Sequence, residues 1–423
     1  MENEVNDTYI LDLCKRAKSA SKFLANSSSK VKNAVLISAA DKLLENKELI
    51  LAANREDLDK AVENGIKPAM IDRLKLTSER IDGIAEGVRQ VAGLPDPVGN
   101  IEWGTRRPNG LEIIKKRVPL GVIGIVFESR PNVSADCSSL TIKSGNAAIL
   151  RGGKEALNSN LAIVKCFNDA LSENGLPADC VILLDRTDRK YVNDLFTMRE
   201  YVDALIPRGG KGLISNVVEN SKIPVIQTGT GNCHIYIDDS ADIMMALDIV
   251  KNAKNQRPSV CNAMETLLVS KKIKDAFLPE CVKMLQSLGV DVRGCDITSE
   301  TVKGLSINKA TELDYQTEYD DLILAVKVVK DVDEAIEHIN AYGTGHSESI
   351  ITKDYNNATK FQAYVDAACV YVNSSTRFTD GFEFGFGAEI GISNQKLHAR
   401  GPMGLTELTT IKYCINGNGQ IRG

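Results

Sequence analysis

The 423-residue chain is poor in aromatic residues, at 5% with a single tryptophan, and it carries only four histidines. No block of basic residues accompanies those few rings, so the stacking platforms and cationic stripes of nucleic-acid binders are absent. A formal net charge of -5 is spread along the chain, which favours solubility without marking a polyanionic partner. No stretch reaches the roughly 18 consecutive apolar residues of a membrane span. The start, MENEVNDTYI, lacks the basic residues and apolar run of a secretory leader. A cytoplasmic protein without a membrane or nucleic-acid partner is expected. Ten cysteines stand singly, with no Cys-x-x-Cys pair, so neither a zinc site nor a disulfide framework is expected. A cysteine with a special task would act as a free thiol.

With 43% hydrophobic and 25% charged residues, the chain is ordinary in composition and too long for one core, so two or three domains are expected. Residues 7–92 read as successive helices. The clearest begins at Thr77 or Ser78 as N-cap with Glu79 in the first turn, and sets Ile81, Ile84, Ala85, Val88, Val91 and Ala92 on one face. Gly93 and the prolines of LPDPVG end it. The run IEWGTRRPNGLEIIKKRV, residues 101–118, has a Pro-Asn-Gly turn between β-prone stretches and predicts a hairpin. Such a hairpin is marginal alone and needs another surface. The tail strand in LTTIKYCING is expected to pair with it.

From Pro119 the texture changes to short apolar runs separated by helical segments: VIGIVF, AAIL, CVILL, DALIP, PVIQT and CHIYID, then TLLV, LILAVKVV, SIIT and CVYVN. This alternation predicts α/β units built on parallel sheets. Two joints between strand and helix carry paired glycines, LRGGKEA and PRGGKG. Backbone N–H groups and a helix dipole meet at such joints and suit an anion. Arg151 and Lys154 flank one, and Arg208 and Lys211 flank Gly209 and Gly210 in the other. A basic pair at such a joint suits a phosphate, and leans toward NADP over NAD.

Cys261, in NQRPSVCNAMETLLV, stands where a polar, proline-broken loop meets an apolar strand. A cysteine kept only for packing belongs inside the apolar run. A thiol at its edge is placed to react.

These runs, together with SGNAAILRGGKEA, QTGTGNCHIYID, YGTGHSESI and VNSSTRFTDGFEFGFGAEIGIS, resemble the aldehyde dehydrogenase superfamily over nearly the whole chain. The likeness is greatest to the branch that reduces an acyl phosphate for proline biosynthesis. It implies an α/β, aldehyde-dehydrogenase-like fold. A Rossmann-like cofactor domain would take 1–100 and 119–231, with 372–400 returning to it, and an α/β catalytic domain 232–371. A small β oligomerisation flap would take 101–118 and 401–423.

The implied reaction is NADPH-dependent reduction of L-glutamyl 5-phosphate to L-glutamate 5-semialdehyde, with release of phosphate through a cysteine thioester. A glutamate kinase would supply the substrate, and a homo-oligomer is expected. Cys261 falls at the family's nucleophile, Glu318 at its ribose-binding glutamate, and Arg151 and Lys154 at positions that set NADP over NAD. The oxyanion donor falls on Arg130 in a gapless alignment and on Asn132 in one shifted by two residues. Ser375, Arg377 and His346 are candidates for the substrate's polar end, because Arg suits a carboxylate. Relatives that release a free acid carry a catalytic glutamate where this chain has Gln227–Cys233, which holds no carboxylate. That absence argues against a hydrolytic relative, and a coenzyme A requirement would mark an acylating one. A non-catalytic dinucleotide-binding protein is the reading from another class.

Overall fold

The computed structural model describes residues 8–422, and the opening MENEVND lies outside them. The chain divides into two compact units, Met1–Thr228 with Gly385–Gly391 and Met403–Gly423, and Gly229–Phe384 with Ile392–Pro402. The stretch 372–400, expected to return to the first unit, does so only over Gly385–Gly391.

The first unit opens with five helices, Tyr9–Ala25, Ser29–Glu45, Lys47–Glu63, Pro68–Leu74 and Ser78–Gly93. The last is capped by Thr77, whose Oγ1 accepts from the backbone N–H of Arg80. Its buried face holds the expected residues except Ile84, which is half-buried. Ile10, Leu13 and Ala17 of the first helix pack with Val122 and Ile149 of the sheet that follows.

That sheet has four parallel strands in the order Val181–Leu183, Ala147–Arg151, Val122–Phe127, Ala204–Arg208. Val122–Phe127 is interior and buried at every position, which explains its unbroken apolar run. The chain moves outward from this strand to 181–183 and then returns to its other side at 204–208. The reversal opens a crevice beyond the carboxyl ends of 122–127 and 204–208, the usual seat of a ligand in such sheets. Pro207 is tolerated because its strand is at the edge. PVIQT, expected as a further strand, makes only a single bridge, Val225 to Leu205; Pro224 has no N–H to extend it.

The hairpin forms from Ile101–Arg106 and Glu112–Pro119, and Thr409–Asn416 adds to it as a third antiparallel strand. Gly110 turns the hairpin at φ 90°, a conformation that costs glycine nothing.

The second unit is built on a seven-stranded sheet ordered Asn308–Lys309, Asp291–Gly294, Ile323–Val329, Met264–Ser270, Cys233–Ile237, Ser347–Ile351, Cys369–Val372. All of its pairings are parallel. Leu267, Val269, Ile235 and Ile237 form one buried cluster with Phe277, Leu278 and Val282 of the helix Lys274–Ser287. Among the described residues no helix is long and apolar enough to cross a membrane, and no cluster of His, Cys, Asp and Glu could hold a metal ion.

Candidate active site

Parallel strands enter a sheet side by side, about 4.8 Å apart. The second unit uses this to assemble its polar centre. Cys261 lies in the turn before Met264–Ser270, Gly231 lies before Cys233–Ile237, and His346 lies before Ser347–Ile351. These strands are neighbours, with Cys233 opposite Met264 and Glu348 opposite His234. Three segments distant in sequence therefore meet at one edge.

Cys261 is half-buried, so its thiol combines access with a constrained backbone. Its carbonyl accepts a hydrogen bond from Cys233 Sγ at 3.1 Å. Cys233 is fully buried; lost hydration, then the charge of Glu348, raise its pKa well above the ordinary thiol value. It therefore stays protonated and serves as a donor. Gly231 packs against the backbone of Cys261 so closely that a Cβ on it would stand 2.7 Å from the Cys261 Cα and overlap the carbonyl group. Only glycine permits that approach. The N–H of Gly231 donates to Glu318 Oε1 at 2.6 Å, which ties the expected ribose-binding carboxylate to the loop beside Cys261.

His346 is fully buried, and burial lowers its pKa to about 4. It is neutral at pH 7 and bonds through Nδ1 to Ser347 Oγ at 2.8 Å. This makes it an internal support, not an open substrate contact. Ser375 is likewise buried, and its hydroxyl accepts from the N–H of Arg377 at 3.3 Å, capping the short turn Thr376–Phe378. Arg377 is half-buried and donates from Nε to Gln256 Oε1 at 3.0 Å. Burial and the nearby Arg257 lower its pKa, opposed by charge on Cys261 and then Asp380. Its coupling to Cys261 works in both directions, since a cation beside a thiol favours the thiolate. Cys261, Glu318, His346, Ser375 and Arg377 thus share the second unit.

The remaining expected residues are in the first unit. Arg130 and Asn132 follow the central strand at the crevice, with Asn132 opening the helix Asn132–Lys143. The Asn132 amide donates to Asp136 Oδ2 at 3.1 Å, and lost hydration raises the Asp136 pKa against the pull of Arg208 and of that bond. Arg151 is fixed by the carbonyls of Gly152 at 2.8 Å and Thr187 at 3.3 Å. Burial lowers its pKa, with Glu155 opposing and Arg189 adding to the effect. Lys154 is exposed and makes no ion pair among the described residues. Glu155 turns to Ser129, accepting its hydroxyl at 2.6 Å.

The second glycine joint differs from expectation. The N–H of Gly210 donates to Glu128 Oε1 at 2.6 Å. A carboxylate of the chain itself therefore takes the anion position at the start of Lys211–Asn220, leaving the Arg151 and Lys154 joint as the stronger phosphate candidate. Sequence reasoning missed Glu128, Cys233, Gly231 and Gln256 as parts of these sites. The tight QTGTGNC run was the one available hint, since two glycines in so short a loop indicate a close backbone approach.

The sequence matches the model of the Aldehyde dehydrogenase family over residues 4–321 and 315–413. It is 59% identical over 414 residues to a gamma-glutamyl phosphate reductase of Carboxydothermus hydrogenoformans, covering 98% of this chain and 99% of that one. A gamma-glutamyl phosphate reductase of Clostridium perfringens is 58% identical over 408 residues, covering 96% and 98%. Among solved structures, gamma-glutamyl phosphate reductase from Thermotoga maritima superimposes with a TM-score of 0.96 at 51% identity, covering 98% of this chain and all of that one.

Proposed function

This chain belongs to the aldehyde dehydrogenase family, in its gamma-glutamyl phosphate reductase branch, and from that premise we propose that it reduces L-glutamyl 5-phosphate to L-glutamate 5-semialdehyde with NADPH. The observation that carries this reading is the setting of Cys261. It is an accessible thiol with a fixed carbonyl, a cation in electrostatic reach and no carboxylate in the adjoining Gly229–Cys233 loop.

The thiolate of Cys261 attacks the 5-acyl carbon, forming a C–S bond. Phosphate departs with the electron pair of the broken acyl C–O bond, leaving a thioester. An ordinary thiol is only a few per cent ionised at pH 7, and the nearby charge of Arg377 raises that fraction. Arg377 receives the substrate's α-carboxylate, for which its planar guanidinium is suited, while Ser375 and His346 hold the surrounding backbone. Because the Gly231 loop presses on Cys261 and brings no base, nothing in it activates water against the thioester. Phosphate is then the competent acyl acceptor in the reverse direction.

Arg151 and Lys154 would hold the 2'-phosphate of the dinucleotide, and Glu318 a ribose hydroxyl. The fixed guanidinium of Arg151 and the unpaired ammonium of Lys154 fit that group. When bound, the reduced nicotinamide would supply a hydride to the acyl carbon, after which the C–S bond breaks, its electron pair returns to the Cys261 sulfur and the semialdehyde leaves. The three-stranded flap, with Trp103, Tyr413 and Ile415 exposed, would serve a homo-oligomer. A glutamate kinase would supply the acyl phosphate. The test is NADP reduction by purified protein given glutamate 5-semialdehyde, with and without inorganic phosphate. Phosphate-dependent reduction supports the reading, whereas equal rates without phosphate would mean hydrolysis and overturn it.

A further inference from the structure

Asn262, the residue after Cys261, is bonded by both its side chain and its main chain to the turn that carries Arg377. Its Nδ2 donates to the carbonyls of Arg377 at 3.3 Å and Thr379 at 2.8 Å, and its own carbonyl accepts from Thr376 Oγ1 at 2.7 Å. From the other side of the nucleophile, Gln256 accepts from Arg377 Nε at 3.0 Å. Asn262 is 5% exposed, and Thr376 and Thr379 are fully buried. Thr379 Oγ1 is braced in turn by Ser347 Oγ and the Tyr371 hydroxyl, each at 2.7 Å. Two segments more than a hundred residues apart are thus joined, and the three bonds of Asn262 involve neither Cys261's sulfur nor the Arg377 guanidinium.

We propose that Asn262 and Thr376 are positioning residues that clamp the nucleophile loop to the Arg377 turn. The group receiving the substrate's carboxylate and the thiol attacking its far end are thereby held at a fixed separation. The substrate is short and flexible, and attack requires reacting atoms about 3–3.5 Å apart. Anchoring one end of such a molecule is useful only if the anchor cannot drift from the nucleophile. The clamp also keeps the Arg377 cation within electrostatic reach of Cys261. The inference rests on the roles given above to Cys261 and Arg377.

The test uses the full-length protein and three variants. Thr376→Val removes the hydroxyl and keeps the shape, Thr376→Ser keeps the hydroxyl, and Asn262→Ala removes both side-chain bonds. Two quantities are read: kcat and KM for glutamate 5-semialdehyde in phosphate-dependent NADP reduction, and the pH profile of Cys261 alkylation by iodoacetamide, followed by peptide mass spectrometry. Thr376→Val and Asn262→Ala should lose about tenfold in kcat/KM, the cost of a broken buried hydrogen bond, mainly through KM. Their alkylation profiles should move to higher pH, while Thr376→Ser stays close to wild type. Wild-type kinetics and alkylation in Thr376→Val and Asn262→Ala would overturn the clamp, even with a lowered melting temperature. So would a Thr376→Ser variant as impaired as Thr376→Val. If the wild type does not turn over the semialdehyde, the functional reading above fails and the alkylation profiles alone decide the clamp.

Discussion

Replacing Gly231 by alanine adds one methyl group at the glycine of the second unit where a Cβ would have least room. The new Cβ would stand 2.7 Å from the Cys261 Cα and overlap its carbonyl. Carbon atoms pack at about 3.5–4.0 Å, so relieving the clash with that carbon requires a retreat of about 1 Å, and clearing the carbonyl requires more. The obstacle is backbone on both sides, with no flexible side chain to swing away. Overpacking of this kind costs about 1–3 kcal/mol of stability. A misplacement of about 1 Å at reacting atoms costs about 100-fold in rate. The shift would also strain the bonds from Cys233 Sγ to the Cys261 carbonyl and from Gly231 N–H to Glu318. Gly231→Ala should therefore fold, melt several degrees lower by calorimetry, and lose about 100-fold in kcat for phosphate-dependent NADP reduction. A variant with kcat within about twofold of wild type would refute the reasoning, because the Cys261 loop would then tolerate a displacement that the packing forbids.

Arg151→Ala and Lys154→Ala should raise the KM for NADP while leaving that for NAD nearly unchanged. Equal effects on both cofactors would remove these residues from 2'-phosphate recognition. Arg377→Lys should raise the substrate KM by about tenfold, because an ammonium cannot reproduce a bidentate bond to a carboxylate; an unchanged KM would take Arg377 out of the substrate site. His346, whose folded pKa of about 4 lies below the ordinary 6.5, stabilises the fold fully above pH 6.5. As the pH falls toward 4, the unfolded chain takes up a proton that the folded one refuses, and that contribution, about 3 kcal/mol, is lost. Denaturant melts at pH 7.5 and 4.5 should show a smaller loss in His346→Asn than in wild type, and an identical loss in both would contradict the assignment.

The sheets were legible because burial on both faces writes parallel strands as continuous apolar runs, as in VIGIVF and TLLV. The position of Cys261 at the entry to a strand was legible because its surroundings change abruptly from polar loop to apolar run. PVIQT has the same apolar texture as the true strands, but a proline at its start limits it to one bridge. The strands Asp291–Gly294 and Asn308–Lys309 are too short to leave a period. The supports of the site were hidden for another reason. Glu128, Cys233 and Asn262 act on partners 82, 28 and 117 residues away, and a hydrogen bond over such a span leaves no local pattern. Ser375 and His346 carried suitable chemistry for substrate contact, and burial turned both toward the protein's own backbone and side chains.

The most direct test of the central claim is to supply glutamyl 5-phosphate, generated in place by a glutamate kinase and ATP, to the protein without NADPH, and to map the modified residue by peptide mass spectrometry. A glutamyl group should appear on Cys261 and be discharged by added inorganic phosphate, with no such adduct in Cys261→Ala. An adduct on another residue, or NADPH-dependent turnover that persists in Cys261→Ala, would contradict it.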